Sequence, residues 1–437
     1  MVRPLLHLLF WVLFVAHAAT GQTYGNEWIN YNQKYYSFKV QTTGIHRIDH
    51  SMLVTSGIPV GTFSHENIQI FGREQEVPLF IELGPDGIFG PGDYIAFYAE
   101  RNDGWLDTTL YEDPSWQGNP KYSLYNDTLH YFFTWNNSTT NKRFTVETDV
   151  NFSAYTPSTH ILSESSAFYN SAYNEGEKTS NASSSFYMPG EGWGRSPVNG
   201  ASNFTLPLGA PTPSVYTGSD APLCRFKSVS VSNSNAAFTP GVGEQIGNHH
   251  LQFTIGTSDL VIVDTIFSGY KAINIDTYFP SSTLATGNTT LKWKIIGDQG
   301  AATDFQSLNY WSFFYPRIPN LGGSNKINFL VKNNPLESKI RLDVTNLVYS
   351  NPFVFVMGST PRRVPLILNG SVYSALIPND PSSDEQLVVY QDLSTLTTVA
   401  SLAPVNGNGF FNDYSIWNAE KALLMVYHTS LQQATFE

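Results

Sequence analysis

Short apolar and aromatic segments, each ended by turn-forming residues, recur from residue 35 to residue 391 of this chain. In some of them apolar and polar residues alternate, which is the pattern of a strand with one face against a core. Others, such as GDYIAFYAE and LHYFFTW, are apolar at almost every position and predict strands covered on both faces. Only 14% of residues are charged and 14% are aromatic, a composition that favours strands and turns over helices. The chain is therefore predicted to be mainly β, with sandwich-like or jelly-roll-like domains.

A change of character between residues 147 and 197 predicts a domain boundary near residue 155. This stretch is rich first in Ser and Asn and then in Gly and Pro, as long surface connections are. We expect an N-terminal β domain over residues 22–155 and a second β-sandwich domain over residues 156–395. Residues 396–437 are expected to form a linker and the start of a further domain.

The N-terminus has the pattern of a secretory signal peptide over residues 1–21. Arg3 supplies the positive region, Leu5 to Val15 the apolar region, and Ala16 to Ala18 a small-residue cleavage site. No other stretch approaches the roughly 18 to 20 apolar residues that span a bilayer, so no transmembrane helix is expected after signal removal. The net charge of −12, without a basic stretch, makes nucleic acid an unfavourable partner.

The last twenty residues predict the first strand and helix of an α/β unit. Ala422 to Tyr427 is an unbroken apolar run, as in a strand buried on both faces. Ser430 and Gln433 then have the spacing of a capping box at a helix start. Such a strand needs a parallel neighbour reached by a crossover of a dozen or more residues. We expect that the unit pairs with an upstream strand or that the chain is the front part of a longer protein.

Few residues have the setting that catalysis requires. Cys224 is the single cysteine, and no local pattern supplies the base that a cysteine nucleophile needs, so a small packed apolar residue is the better interpretation. His249 and His250 are neighbours on a predicted strand and would point to opposite faces, which favours paired surface histidines over one metal site. His428 ends the last predicted strand, a position where α/β sites collect residues, but it has no demonstrable role.

Asp86 and Asp93 are the one candidate pair of metal ligands. They lie in the Gly-rich loop GPDGIFGPGD, and oxygen ligands on a bent loop suit Ca²⁺. The loop holds no third acid, and ordinary Asx-turns explain both residues equally well. No other cofactor is predicted.

A second class of function is a surface binding module, for instance one that binds carbohydrate. Exposed aromatic residues such as Trp105, Trp116 and Trp193 would stack on sugar rings, although aromatic residues more often belong to a core. No hydrolase, metalloprotease, phosphate-loop or dinucleotide-binding motif is present.

Several segments, taken together and in order, resemble one family. That family is the PorU-type sortases of the type IX secretion system, which are gingipain-like cysteine peptidases of Bacteroidetes. The resemblance covers nearly the whole mature chain. The matching part of the family's proteins is their N-terminal, non-catalytic half. The segments are TTGIHRID, DYIAFYAERNDGW, YSLYNDT, YFFTW, MPGEGWG, LNYWSFFYPR, LDVTNL and NAEKALLMVYHTSLQQA.

The resemblance implies β domains followed by an α/β peptidase domain whose first strand and helix correspond to KALLMVYHTSLQQAT. The catalytic His and Cys of the family would lie beyond Glu437, so no catalytic residue is assigned in this chain. A complete relative would act at the outer membrane, remove the C-terminal sorting domains of secreted cargo and help anchor that cargo at the cell surface. Its implied partners are outer-membrane components of the type IX system and those C-terminal domains.

Overall fold

The computed structural model describes residues 25–414, except residues 177, 180–181, 184–186, 233–248, 302 and 348–351. The predicted signal peptide and the predicted terminal strand and helix lie outside the described residues. The described part is mainly β, as the sequence predicted. One α-helix, α1 (His50–Thr55), is present in it, and short 3₁₀ turns cover Val60–Thr62, His65–Asn67, Asp107–Leu110, Pro114–Trp116, Phe152–Ala154, Ser281–Thr283, Leu393–Thr395 and Val405–Gly407.

The strands of the described residues are numbered here in chain order. They are β1 (Tyr36–Val40), β2 (Gly44–Asp49), β3 (Ile68–Gly72), β4 (Gln75–Glu76), β5 (Leu79–Glu82), β6 (Tyr94–Ala99), β7 (Leu129–Trp135), β8 (Thr145–Val146), β9 (Ile161–Phe168), β10 (Ala172–Asn174), β11 (Lys178–Thr179), β12 (Ala182–Ser183), β13 (Gly192–Gly194), β14 (Val198–Asn199), β15 (Phe204–Thr212), β16 (Cys224–Ser232), β17 (His249–Ile255), β18 (Leu260–Phe267), β19 (Ala272–Phe279), β20 (Gly287–Ile295), β21 (Phe305–Arg317), β22 (Lys326–Lys332), β23 (Lys339–Val344), β24 (Phe353–Met357), β25 (Arg362–Pro365), β26 (Ile367–Asn369), β27 (Val372–Pro378), β28 (Glu385–Gln391), β29 (Thr397–Thr398) and β30 (Ala403–Pro404).

The first sandwich packs a five-stranded sheet on a four-stranded sheet. The sheet orders are β30-β1-β7-β3-β4 and β29-β2-β6-β5. Alternate residues of each strand point into the space between the sheets, as the period of two requires. The shared core includes Phe38 and Val40 from one sheet and Ile95 and Phe97 from the other. Burial of these side chains is what holds the two sheets together.

A ten-stranded sheet forms the centre of the rest of the molecule. Its main order is β19-β16-β21-β9-β22-β28-β24-β25-β8, and β14 pairs with β21. One half of this sheet faces the sheet β15-β20-β17-β18, and the core between them forms the middle sandwich around Phe226, Trp293 and Trp311. The other half faces the sheet β23-β27-β26, and their core forms the third sandwich. A single residue pair, Leu162 and Leu330, joins β9 to β22 where the two halves meet.

The continuous apolar sequence of β24 and β28 results from burial on both faces. Val354, Val356 and Val388 lie in the core of the third sandwich. Phe355 and Val389, on the opposite face, pack against the four-stranded sheet of the first sandwich. Strands in such a position read as apolar runs rather than as alternating patterns. The ten-stranded sheet therefore lies between the first and third sandwiches.

An arginine is packed into this contact between the first sandwich and the ten-stranded sheet. The guanidinium carbon of Arg363 lies 4.1 Å from the ring centre of Phe80 and 3.6 Å from that of Phe353. Burial lowers the pKa of Arg363, and Glu82 lies 3.9 Å away. Cation–π contact of this kind offsets part of the cost of taking the charge out of water.

The chain returns to the first sandwich after the third. β29 pairs in parallel with β2, and β30 pairs antiparallel with β1. Val399 and Leu402, between these strands, fill the core of the first sandwich. Part of the segment expected to be a linker thus completes two sheets whose first strands, β1 and β2, begin at residues 36 and 44. The division into domains at residues 155 and 395 stays a prediction.

Candidate ligand-binding surface

Asp86 and Asp93 both accept hydrogen bonds from backbone N–H groups of the loop that precedes β6. Asp93 is buried, and its two carboxylate oxygens accept hydrogen bonds from the backbone N–H groups of Gly84 and Gly90, at 2.8 and 2.9 Å. Exposed Asp86 accepts one from the N–H of Ile88 at 3.2 Å. The bond to Asp86 is that of an Asx-turn, as predicted, whereas Asp93 accepts only from residues that precede it and so closes the loop in another way. In the described part of the chain no three His, Cys, Asp or Glu side chains are grouped to hold a metal ion, and the Ca²⁺ site stays a prediction.

Cys224 lies at the start of β16 inside the core of the middle sandwich. Its side chain is fully buried among apolar residues. Burial raises the pKa of the thiol to about 12, so almost no thiolate exists at neutral pH. Because the thiolate is the reactive form, the geometry of Cys224 suits packing and not nucleophilic chemistry.

The two adjacent histidines point to opposite faces, but His249 is a core residue. Its Nδ1 lies 2.6 Å from a carboxylate oxygen of Asp304, and both side chains are buried. The interpretation as paired surface histidines is therefore wrong for His249. The carboxylate that makes its burial possible comes from a residue far away in sequence, which the local pattern could not show.

His250 lies at the edge of the same sandwich between two carboxylates. Its Nε2 is 2.6 Å from Asp264, and its Nδ1 is 2.9 Å from Asp298. Burial alone lowers the pKa of His250, but the two hydrogen-bonded carboxylates outweigh burial and raise it. The geometry is that of an ion triad that ties β17 to β18 and to the loop after β20.

A polar cleft of about 380 Å³ opens where β9 and β22 part, lined by His160, Asp220, Asn333 and Arg341 among others. Most of these groups bond within the protein. Arg341 donates to both oxygens of Asp343 and to the carbonyl of Phe152, and the Asn333 amide donates to two backbone carbonyls. The cleft is therefore mainly part of the scaffold.

The three tryptophans that were expected to be exposed are half-buried instead. Trp105 lies 5.9 Å from the guanidinium of Arg73, and the carbonyl of Trp116 accepts a hydrogen bond from the N–H of Gly190. Trp193 donates its indole N–H to the carbonyl of Leu124 at 3.1 Å. Each tryptophan helps to hold loops together, so the prediction of three exposed stacking platforms is wrong.

Those loops meet on the ten-stranded sheet. The side-chain amide of Asn119 donates to the carbonyls of Tyr169 and Trp193, at 3.0 and 3.1 Å. Asn309 of β21 donates to the same carbonyl of Trp193 at 2.9 Å. Segments YSLYNDT, MPGEGWG and LNYWSFFYPR, which are far apart in sequence, are thus neighbours in space.

Six aromatic side chains from β9, β10, β13 and the neighbouring loops form a group that we call the aromatic surface. Four of them follow one another as a row, with ring centres 5.8, 6.2 and 5.3 Å apart, from Phe168 through Tyr122 and Trp193 to Tyr173. Phe168 and Tyr173 are exposed. The other two members are Tyr125, which is 67% exposed, and Tyr187. The hydroxyl oxygens of these two tyrosines lie 2.7 Å apart.

Glu191 connects the row to the Tyr125–Tyr187 pair through Tyr111, whose ring centre lies 5.4 Å from that of Tyr187. One carboxylate oxygen accepts from the hydroxyl of Tyr173 at 3.1 Å and the other from the N–H of Met188 at 2.9 Å. Its backbone carbonyl accepts from Tyr111. Burial and, next, the charge of Glu191 raise the pKa of Tyr173, and burial raises the pKa of Tyr187. These phenols stay neutral and available as hydrogen-bond donors and acceptors at any physiological pH.

The aromatic surface offers ring faces and hydroxyl groups side by side. Sequence reasoning found one member, Trp193, through its aromatic side chain in a Gly-rich loop. It missed the tyrosines, although the segments YSLYNDT and MPGEGWG carry three of the six residues and Glu191. A surface of this composition suits ligands that have both apolar faces and polar groups.

No helix in the described part of the chain has the length and apolar character needed to cross a membrane.

Comparison with known proteins gives structural matches only. No protein-family model and no curated protein matches the chain. Among solved structures, the crystal structure of dimeric latent PorU from Porphyromonas gingivalis superposes with a TM-score of 0.51 at 11% identity. The match covers 86% of this chain and 34% of the PorU chain, so this chain spans about a third of that protein's length. At this identity the similarity shows a shared fold and no more.

A second match is the X-ray structure of tandem CBM51 modules of a family 98 glycoside hydrolase from Streptococcus pneumoniae. It covers 65% of this chain and 78% of that chain at 11% identity, with a TM-score of 0.17. A superposition of that quality supports no inference about fold or function.

Proposed function

We propose that this chain is the β-rich, non-catalytic region of a sortase-like cysteine peptidase of the type IX secretion system. The observation that supports the proposal is the fold similarity to PorU, which extends over 86% of this chain. The ordered sequence segments that resemble the same family were identified independently of the fold. The family assignment, the activity of the complete protein and its partners all belong to this proposal.

The chemistry of the only cysteine agrees with a non-catalytic role. Cys224 is buried, its thiol pKa is about 12, and it lies in a core of aromatic and aliphatic residues. A peptidase nucleophile needs a depressed thiol pKa and a base beside it. We propose that the catalytic His and Cys belong to sequence after Glu437 and that the β region positions that domain, engages an outer-membrane partner or acts as a pro-region.

The proposal also assigns a place and partners. The protein would be secreted across the inner membrane and act at the outer membrane or cell surface. There it would meet components of the type IX system and the C-terminal sorting domains of cargo, whose removal would be its reaction. The predicted signal peptide and the net charge of −12 are compatible with an exported protein that does not bind nucleic acid.

The test is genetic and uses the organism that carries the gene. The gene is deleted, and mass spectrometry measures whether secreted cargo keeps its C-terminal sorting domain. Complementation with codons 1–437 alone should leave the sorting domain attached, while the whole locus, including downstream sequence, should restore its removal. The whole locus with Cys224→Ala should restore removal equally well, because this thiol only packs.

Two results would contradict the proposal. One is a stop codon directly after Glu437 together with normal cargo processing in the deletion strain. The other is loss of processing on Cys224→Ala in a protein that is still produced and folded, since that would make the buried thiol part of the reaction.

A further inference from the structure

We infer that the aromatic surface binds a neutral, hydroxyl-rich ligand, of which a saccharide is the chemical class. This inference does not depend on the proposed function, because it concerns residues of the described chain alone. It rests on the way in which β9, β10, β13 and the neighbouring loops place aromatic rings and phenolic hydroxyls together on the outside of the molecule.

The first step of the argument is that the exposed rings are not needed for the cores. Tyr125 is 67% exposed, and it is placed by the hydroxyl contact with Tyr187. Tyr173 and Phe168 are also exposed, while none of these three belongs to a core cluster. Side chains of this size are usually turned inward, so a group of them on one surface marks an interaction site.

The second step concerns shape. The ring planes of Phe168 and Tyr122 are stacked at 23°, but the planes of Tyr122 and Trp193 meet at 84° and those of Trp193 and Tyr173 at 81°, so the row is stepped, and its exposed rings are the two at its ends. The C–H groups on the face of a sugar pack on aromatic rings through dispersion and the hydrophobic effect. A ligand would therefore contact Phe168 and Tyr173, which are separated by two half-buried rings, and this suits a short oligosaccharide better than a single sugar.

The third step concerns polar groups. The hydroxyl of Tyr173 donates to Glu191 and the hydroxyls of Tyr125 and Tyr187 bond to each other, so the three offer a ligand acceptor lone pairs and one remaining donor, to which sugar hydroxyls can bond. Glu191 fixes the hydroxyl of Tyr173 by accepting a hydrogen bond from it, with the two oxygens 3.1 Å apart. The lone pairs of the tyrosine oxygen are then left for a ligand donor. A few fixed polar groups among apolar faces are what orients a ligand in a binding site.

The fourth step favours a neutral ligand over a cation. Both carboxylate oxygens of Glu191 already accept hydrogen bonds within the protein. At the other end of the row, the guanidinium of Arg101 lies 4.9 Å from the ring of Phe168 and 5.8 Å from that of Tyr122. One cation is thus already in place over the aromatic rings, and a second would be repelled by it.

The experiment begins with the full chain on an array of neutral oligosaccharides built from glucose, galactose, mannose and N-acetylglucosamine. The strongest neutral oligosaccharide is then titrated by calorimetry at low and high salt. We expect binding whose affinity changes little with salt, because no charge is neutralised. Tyr173→Ala and Tyr125→Ala should each weaken binding about tenfold, since each removes a ring face.

Matched variants separate binding from folding. Tyr278→Ala removes a tyrosine that is 56% exposed on β19, outside the aromatic surface, and should leave the affinity unchanged. Tyr173→Phe keeps the ring but removes the hydroxyl bonded to Glu191, and should weaken binding less than Tyr173→Ala does. Circular dichroism of each variant verifies that the fold is kept.

Three results would overturn the inference. They are an array without signal from any neutral oligosaccharide, an affinity that survives both Tyr173→Ala and Tyr125→Ala, and binding of tetramethylammonium that weakens with salt in place of saccharide binding. The last result would assign the surface to organic cations.

Discussion

Aromatic residues fill the core of the middle sandwich and also cover the aromatic surface, yet they do different work in the two regions. Phe226, Phe253 and Trp293 are completely buried, and the ring centres of the first two lie 5.1 Å apart. On the aromatic surface Tyr125 and Tyr173 face water, and their hydroxyls bond to Tyr187 and Glu191. In the core the aromatic side chains contribute to stability by filling volume. On the aromatic surface they expose ring faces and hydroxyl groups to water.

The comparison teaches that aromatic content alone does not identify a binding site. Phe and Trp dominate the core, where a polar tip would need a partner. Tyr dominates the aromatic surface, where a hydroxyl is free to bond to neighbours or to a ligand. The distinction lies in the hydroxyl and in its exposure to water, and six substitutions test how much burial contributes to stability in the interior and at the surface.

The largest expected effect is that of Phe226→Ala. Removing a completely buried ring from the core should lower the free energy of unfolding by about 3 to 5 kcal/mol, because it loses burial and leaves a cavity. Urea denaturation followed by fluorescence measures it. The matched variant Phe168→Ala, at an exposed ring, should change the value by less than about 0.5 kcal/mol. Equal losses from the two variants would remove the difference between the regions.

Asp304→Ala should have the next largest effect, about 2 kcal/mol, because buried His249 and Gln306 lose their carboxylate acceptor. Asp298→Ala removes an equivalent acceptor from His250, but this carboxylate is half exposed and water can replace it. It should therefore cost much less. If the two variants unfold at the same urea concentration, burial does not explain the contribution of the His249–Asp304 pair to the free energy of unfolding.

His250→Gln should cost roughly 0.5 kcal/mol, in a pH-dependent way. Because the folded pKa of His250 is raised above 6.5, its contribution is fully present below about pH 6.5 and is lost as pH rises through the folded value. The pKa values of Asp264 and Asp298 are lowered from 3.8, so the contribution is also lost in stronger acid. The stability difference between wild type and variant should be largest near pH 5. A difference that grows from pH 6 to pH 9 would contradict the ion triad.

The smallest expected effect on stability is that of Tyr125→Phe on the aromatic surface. It removes one exposed hydroxyl that bonds to Tyr187 and should change the free energy of unfolding by less than about 0.5 kcal/mol. The thermal midpoint, measured by calorimetry, should stay within the error of the wild-type value. A loss above 1 kcal/mol would mean that this surface is part of the scaffold.

Much of the fold could be predicted because it depends on local patterns. The apolar run GDYIAFYAE predicts a strand covered on both faces, and β6 buries Ile95 and Phe97 in the core of the first sandwich and Tyr94 and Ala96 against the ten-stranded sheet. The alternating sequence around β1 and β2 likewise gives two strands, although residues 41–43 form the connection and Gly44, the predicted turn residue, is the first residue of β2. The bland interpretation of Cys224 as a packed apolar residue agrees with its place in the core.

The rest depends on contacts between distant residues. His249 needs Asp304, and Trp193 meets Tyr122 and Tyr173 only after three loops have docked on the ten-stranded sheet. The periodicity of a single sequence does not predict contacts between residues that are far apart in the chain. For the same reason the three tryptophans were expected to be exposed, and the ring that is most open on this surface, Tyr125, was not singled out.

The return of the chain to the first sandwich has a consequence for how the protein is made. Until residue 404 has been synthesised, β1 and β2 lack the neighbours β30 and β29, and the core lacks Val399 and Leu402. A nascent chain would therefore expose two unpaired strand edges for most of its synthesis, a state prone to association with other chains. The two N-terminal sheets can be completed only when residues 397–404, which are near the end of the described chain, are present. The N-terminal part therefore cannot finish folding before those residues have been made.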